Sequence, residues 1–99
     1  MSHPVERPLR ERMDVDFVEA DVETAFTLVD MAESELGEGN AEPAAHAIGN
    51  AETVFADLEQ RLSRLPPAAQ RPFTRLVEEV RREIDLAKLH HSRANRQLP

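Results

Sequence analysis

The chain has 99 residues, no cysteine and a formal net charge of −7 at pH 7. This length suits one domain, and the lack of cysteine excludes a disulfide framework, a thiolate metal site and a cysteine nucleophile. The apolar runs are too short for a membrane span, and Met1 is not followed by a basic and then an apolar segment. We therefore expect no membrane association and no signal peptide, and we predict a cytoplasmic location.

The charges are divided unevenly along the chain. Residues 13–60 contain thirteen acidic residues and no Lys or Arg, whereas residues 61–99 contain nine Lys or Arg and four acidic residues. We expect the two parts to neutralise each other across a helical bundle, within one chain or between two chains. The basic residues have no aromatic residues between them and the acidic part would repel phosphate, so we expect no nucleic-acid binding.

The first predicted helix covers residues 14–37 and follows a polar, proline-containing arm at residues 1–12. Asp16 and Glu19 have the spacing of a capping box at its start, and Gly37 and Gly39 are expected to end it. Apolar residues recur along it in steps of three and four, which is typical of one buried helical face. These residues are Val15, Val18, Val22, Ala25, Val29, Ala32 and Leu36.

The second predicted helix covers residues 41–65. Asn40 is a favourable N-cap, and the Pro66-Pro67 pair ends the helix. Gly49 lies beside the apolar seam, where glycine lowers helix propensity. We interpret it as a place where a neighbouring helix approaches closely; the alternative is a tolerated local loss of helix propensity. The seam consists of Ala44, Ile48, Ala51, Phe55, Leu58, Leu62 and Leu65.

The third predicted helix covers residues 72–94, after a short turn, and residues 95–99 form a C-terminal tail. The three helices have similar lengths and short connections, which predicts an all-α, antiparallel, up-down-up three-helix bundle with coiled-coil-like packing. The seam of the third helix consists of Phe73, Val77, Val80, Ile84 and Ala87, and continues more weakly to His91 and Ala94.

Seven large apolar residues lie off these seams: Phe17, Phe26, Leu28, Met31, Leu76, Leu86 and Leu89. We expect Phe26, Leu28 and Leu76 to widen the core. Leu86 and Leu89 lie away from the seam of the third helix, so together with Phe17 and Met31 they form our predicted patch for a partner or a second copy. The alternative is that they are isolated exposed side chains, which are common on protein surfaces.

The first helical hairpin contains Leu28, Val29, Ala32 and Leu36, then Gly39-Asn40, then Ala44, Ile48 and Ala51. This spacing resembles a tetratricopeptide-repeat (TPR) unit, and the three-helix outline is similar to the MIT domain. Ala41 stands where a TPR unit usually has an aromatic residue, and the chain has no second repeat. The resemblance implies a module that binds peptides or proteins; a hairpin that merely packs in the same way shows the same pattern.

The histidines and carboxylates are the residues of this sequence that could act as metal ligands, acids or bases. His3 lies in the arm, His46 on the outer face of the second helix, and His90 and His91 point about 100° apart on a helix. No pair of histidines has the spacing of two metal ligands on one helical face, and the carboxylates fall on polar faces. We therefore predict no metal, no cofactor and no catalytic residues.

The sequence favours a small helical protein-protein interaction module that binds a partner or itself through the off-seam apolar residues and the charge split. Two alternatives remain open. One is a purely structural homodimer in which helices of two chains pair, and the other is an enzyme or small-ligand-binding protein whose site the sequence does not reveal.

Overall fold

The structure is a computed structural model and describes residues 9–96. Those residues are almost entirely helical, and no strand occurs among them. A short helix and a 3₁₀ turn precede the last long helix. In chain order the elements are α1 (Leu9–Gly37), α2 (Ala41–Ser63), α3 (Pro67–Gln70), a 3₁₀ turn (Arg71–Phe73) and α4 (Thr74–Arg96).

The contacts between helices define their directions. The end of α1 lies beside the start of α2, where Asn40 Nδ2 donates a hydrogen bond to Glu35 Oε2 at 2.9 Å. The α4 residues Arg81 and Lys88 pair with Glu59 and Glu52 of α2 in reversed order, so α2 and α4 are antiparallel. All three long helices pack against one another. The predicted all-α, up-down-up three-helix bundle is thus confirmed.

The core is formed by the apolar faces of the three long helices, and every buried residue in the range 9–96 is apolar. Phe26 and Leu28 pack against this core as predicted, but Leu76 is exposed, so its expected role in widening the core is wrong. Ala47 and Ala69 are also buried in the core, although the predicted seams did not include them. The largest fully buried side chains are Leu58, Val18 and Val80.

The first helix begins at Leu9, five residues before the predicted start. Residues 9–12 of the predicted arm are therefore helical, while residues 1–8 lie outside the described part of the chain. Asp16 and Glu19 are consequently exposed residues inside α1 and not a capping box. Residues 10–12 are Arg, Glu and Arg, which are good helix formers and favour this earlier helical start.

The turn between α1 and α2 is closed by backbone hydrogen bonds. Gly39 has φ +82°, its amide donates to the carbonyl oxygen of Leu36 at 3.1 Å, and the Asn40 amide donates to that of Glu35 at 2.8 Å. This is the pattern of a Schellman motif, in which glycine supplies the left-handed conformation, and it confirms that Gly39 ends the first helix. Asn40 precedes α2, but its side chain bonds to Glu35 and makes no capping hydrogen bond.

Gly49 lies on the exposed side of α2, and a Cβ added there would meet no atom within 4 Å. The interpretation that a neighbouring helix approaches closely at this glycine is therefore wrong. Its place beside the seam in sequence does not bring it to the contact, because about 100° of rotation separates it from Ile48.

The connection from α2 to α4 is held by the residues around Pro66-Pro67. α2 ends at Ser63, slightly before the predicted boundary, and Leu65 is buried beyond it. Gln70 Nε2 donates to the Leu65 carbonyl oxygen at 2.7 Å. α3 and the 3₁₀ turn then lead into α4, which starts two residues after the predicted position and includes Asn95 and Arg96 of the predicted tail. Residues 97–99 of that tail lie outside the described residues.

Candidate protein-interaction surfaces

The four residues predicted to form a partner patch are all exposed. The exposed fraction is 47% for Phe17, 53% for Met31, 39% for Leu86 and 44% for Leu89. Phe17 and Met31 lie on α1, whereas Leu86 and Leu89 lie on α4. The predicted patch is therefore divided between two helices, with two exposed residues on each.

The outward side of α1 carries a continuous line of uncharged residues, called here the α1 outer stripe. Its members follow one another in steps of three and four, and Ala20, for example, is about 200° around the helix from the buried Val18. All are exposed. The stripe is about 33 Å long at 1.5 Å per residue. It consists of Leu9, Met13, Phe17, Ala20, Thr24, Thr27 and Met31.

A line of carboxylates runs beside the α1 outer stripe. Asp16, Glu23 and Asp30 are each seven residues apart and all are exposed. Within the part of the chain that the structure describes, none of the three takes part in an ion pair. An uncharged line at three-four spacing, flanked by charges at seven-residue spacing, is the arrangement by which a helix pairs with another helix in a coiled coil.

On the side toward α2, the stripe is bordered by an interaction between three side chains. The guanidinium of Arg61 lies over the Phe17 ring, with Cζ 4.4 Å from the centroid, and its Nε is 3.8 Å from Asp21 Oδ2. Burial raises the pKa of Asp21; Arg61 opposes this shift and the negative charge of Asp57 adds to it. The Asp21 Oδ2 atom is buried and accepts no hydrogen bond. Arg61 therefore covers one face of the Phe17 ring, and Phe17 as a whole remains 47% exposed.

The outward side of α4 has a different character. Leu86 and Leu89 are continued at helical spacing by Arg82 before them and Arg93 after them. Both arginines are exposed, and neither forms an ion pair with another residue in the range 9–96. The α4 outer face, defined by these four residues, is thus a short apolar patch between two positive charges.

The charge split along the sequence is partly neutralised between helices. In residues 9–96, three ion pairs join an acidic residue of the range 13–60 to an Arg or Lys of the range 61–99, and a fourth contact joins Glu33 to His90. This agrees with the expectation of neutralisation across a bundle. The four contacts are Asp21 with Arg61 (3.8 Å), Glu59 with Arg81 (3.8 Å), Glu52 with Lys88 (2.9 Å) and Glu33 with His90 (2.7 Å).

The described histidines lie apart from one another. His46 is exposed, His90 Nδ1 is 2.7 Å from Glu33 Oε2, and His91 Nε2 is 3.1 Å from the Ala41 carbonyl oxygen. The last two contacts join the end of α4 to α1 and α2. In residues 9–96, no three His, Cys, Asp or Glu side chains cluster as metal ligands. His3 lies outside the described residues.

Two surface cavities are open to solvent. The larger, about 440 Å³, is lined by Arg10, Glu11, Asp14, Arg64 and Pro66 near the start of α1. The smaller, about 170 Å³, lies between α2 and α4, where Arg81 Cζ is 4.6 Å from the Phe55 ring centroid. In both cavities the charged residues lie at the surface and not in a dry interior.

Sequence reasoning missed two exposed members of the α1 outer stripe, because Leu9 was assigned to the arm and Met13 lies just before the predicted start of the first helix. Their exposed fractions are 65% and 48%. The signal was present in the sequence: counting back from Phe17 in steps of four reaches both residues. Such a count is meaningful only once α1 is known to begin at Leu9.

No family model matches the chain, and comparisons with curated proteins and with solved structures found no significant match. None of the helices within residues 9–96 is long and apolar enough to cross a lipid bilayer.

Proposed function

We propose that this protein is a small helical protein-protein interaction module that binds through apolar residues on the outside of its bundle. The observation that carries the proposal is the exposure of large apolar side chains outside a filled core. Phe17, Met31, Leu86 and Leu89 are each between 39% and 53% exposed although the seams of three helices already supply the core. Apolar surface of this kind marks places where another protein binds.

The proposal also agrees with what the resemblance to a TPR unit and to the MIT domain implies, namely a module that recognises peptides or proteins. We place its action in the cytoplasm, in keeping with a cysteine-free chain. The contacts would be made by the surfaces of α1 and α4, whose outward sides differ in charge and therefore suit different partners.

Site-specific photo-crosslinking in the native organism tests the proposal. Benzoylphenylalanine is placed one at a time at Phe17, Met31, Leu86 and Leu89, and at the exposed Gln60 of α2 as the control. The proposal predicts adducts of discrete mass from at least one of the apolar positions and none from position 60. Equal labelling at all five positions, or no adduct at any of them, would contradict it.

A homodimer is the second candidate. The specific observation in its favour is that the positively charged α4 outer face of one copy is complementary to the carboxylate-flanked side of α1 in another. Sedimentation over a concentration series separates the two candidates. A chain that remains monomeric at tens of micromolar excludes a stable homodimer, whereas a dimer at that concentration favours it.

A further inference from the structure

We infer that the α1 outer stripe is the docking site for one amphipathic helix of a partner protein, and that this helix carries Arg or Lys beside its own apolar seam. The inference rests on the proposed function, which it deepens by naming the surface and the chemistry of the partner. It follows from the shape of the stripe, from the charges that flank it, and from how poorly a second copy of the chain would fit.

The shape of the stripe suits a helix. Seven exposed, uncharged positions recur with the spacing that keeps a seam facing one partner helix over six turns. Large side chains stand near both ends of the stripe, at Leu9, Met13, Phe17 and Met31, while Ala20 and Thr24 occupy its centre. A partner helix can therefore approach most closely at the centre and place larger apolar side chains there.

The flanking charges specify the partner's chemistry. Asp16, Glu23 and Asp30 form one line along the stripe and have no ion-pair partners within residues 9–96. In a coiled coil such flanking positions pair with charges of opposite sign on the facing helix. Three carboxylates in one line favour a helix with Arg or Lys at seven-residue spacing and disfavour an acidic one.

A second copy of the chain fits the stripe less well than a basic partner helix does. If two α1 helices packed antiparallel about Ala20, Asp16 of one copy would lie near Glu23 of the other, which is a like-charge contact. The α4 outer face has the right sign of charge, but it offers only Leu86 and Leu89 to a stripe six turns long.

The test uses two synthetic helical peptides of about 22 residues, the length of the stripe. Both have leucine at the seam positions; one has arginine and the other glutamate at the flanking positions. Binding to the full-length chain is measured by fluorescence anisotropy. We expect the arginine peptide to bind at least about tenfold more tightly than the glutamate peptide, with an affinity that falls as salt is raised.

Matched variants of the chain locate the binding site. Thr24→Lys puts a charge at the centre of the stripe, and Leu89→Lys puts the same charge on the α4 outer face. Both positions are exposed, so both variants should fold, which circular dichroism checks. We expect Thr24→Lys to weaken binding of the arginine peptide about tenfold and Leu89→Lys to change it less than about twofold.

A charge-removing variant tests the role of the carboxylates separately. Replacing Asp16, Glu23 and Asp30 together by Asn, Gln and Asn leaves the seam intact. We expect this variant to bind the arginine peptide about fivefold more weakly and with a smaller dependence on salt. Unchanged affinity and unchanged salt dependence would show that the carboxylates do not select the partner and would overturn the inference.

Other outcomes also overturn the inference. Equal binding of the two peptides, or no binding of the arginine peptide at millimolar concentration, excludes the specified partner helix. If Leu89→Lys abolishes binding and Thr24→Lys does not, the binding site lies on α4. If the chain forms a dimer that Thr24→Lys abolishes, a second copy of the chain occupies the stripe. In these last two cases the inference fails while the proposed interaction function stands; the function itself fails only if photo-crosslinking also detects no partner.

Discussion

The guanidinium Cζ of Arg61 on α2 lies 4.4 Å from the centroid of the Phe17 ring on α1. Arg61 also lies 3.8 Å from Asp21, one helical turn after Phe17. The contact gives Phe17 an intramolecular role, because the ring that stands at the edge of the α1 outer stripe is oriented by a cation from the neighbouring helix. Substitutions at Phe17 will thus affect both the packing of α1 on α2 and the proposed docking surface.

A double-mutant cycle measures this contact. Phe17→Leu and Arg61→Met each remove one partner while keeping an apolar side chain of moderate size. We expect a coupling free energy of about 0.5–1 kcal/mol from urea unfolding, which is typical of an exposed cation-π pair. A coupling of zero would mean that Arg61 does not interact with the ring in solution. The Leu89→Lys variant, on the α4 outer face, serves as an uncoupled control.

The raised pKa of Asp21 predicts how stability depends on pH. Burial is the largest cause of the shift, so the folded state holds a proton on Asp21 at pH values where the unfolded chain has released it. The contribution of this group to the free energy of unfolding therefore increases as pH falls through its folded pKa, and at neutral pH the buried charge is destabilising.

Removing the negative charge of Asp21 should therefore raise the free energy of unfolding at neutral pH. Asp21→Asn is expected to have a higher urea midpoint than the wild-type chain at pH 7, and the difference should shrink in acid as the wild-type carboxyl takes up its proton. Glu23→Gln, which removes one negative charge at an exposed position on the same helix, is the matched control. A lower midpoint for Asp21→Asn at pH 7 would mean that the attraction to Arg61 outweighs burial.

The two glycines Gly49 and Gly39 should respond in opposite ways to alanine. Gly49→Ala should raise the free energy of unfolding by about 1 kcal/mol, because the new Cβ meets open space and alanine is the better helix former. Gly39→Ala should lower it by about 1 kcal/mol because of the positive φ. Thermal unfolding followed by circular dichroism distinguishes them, with shifts of about 4–8 °C per kcal/mol. If Gly49→Ala instead lowers the free energy of unfolding, a neighbouring group lies close to Gly49 after all.

Leu86 and Leu89 should contribute little to the stability of the isolated chain. Replacing both by Gln, which has nearly the helix propensity of leucine, is expected to lower the melting temperature by only a few degrees. The core substitution Leu58→Ala should instead lower the free energy of unfolding by about 2–5 kcal/mol, because Leu58 is fully buried. If the double Gln variant instead loses about 2–5 kcal/mol of unfolding free energy, as expected for a core substitution, Leu86 and Leu89 belong to the core.

The sequence predicted the bundle well because the seams are regular. Steps of three and four placed Val18, Leu58 and Val80 in the core, and all three are fully buried. The errors occurred where a local signal has more than one meaning. Asn40 has the position and residue type of a cap, but its side chain bonds instead to Glu35 of the preceding helix. That choice depends on the geometry of the Schellman turn.

The candidate surfaces were harder to predict. The exposure of Phe17, Met31, Leu86 and Leu89 was expected, but the side chains that border each pair depend on the rotation of each helix in the bundle. The contact between Phe17 and Arg61 joins residues 44 positions apart, and no periodicity within one helix reveals it. The α1 outer stripe was hidden because Leu9 and Met13 lie before the predicted start of the helix.

Mapping of the binding site by NMR tests the central claim most directly. The isotope-labelled chain is titrated with the arginine-flanked peptide, and amide chemical-shift changes are followed along all three long helices. The account predicts that the largest changes fall on α1 between Leu9 and Met31, at the residues of the outer stripe and beside Asp16, Glu23 and Asp30. Changes concentrated on α4 or between α2 and α4, or no changes at saturating peptide, would contradict it.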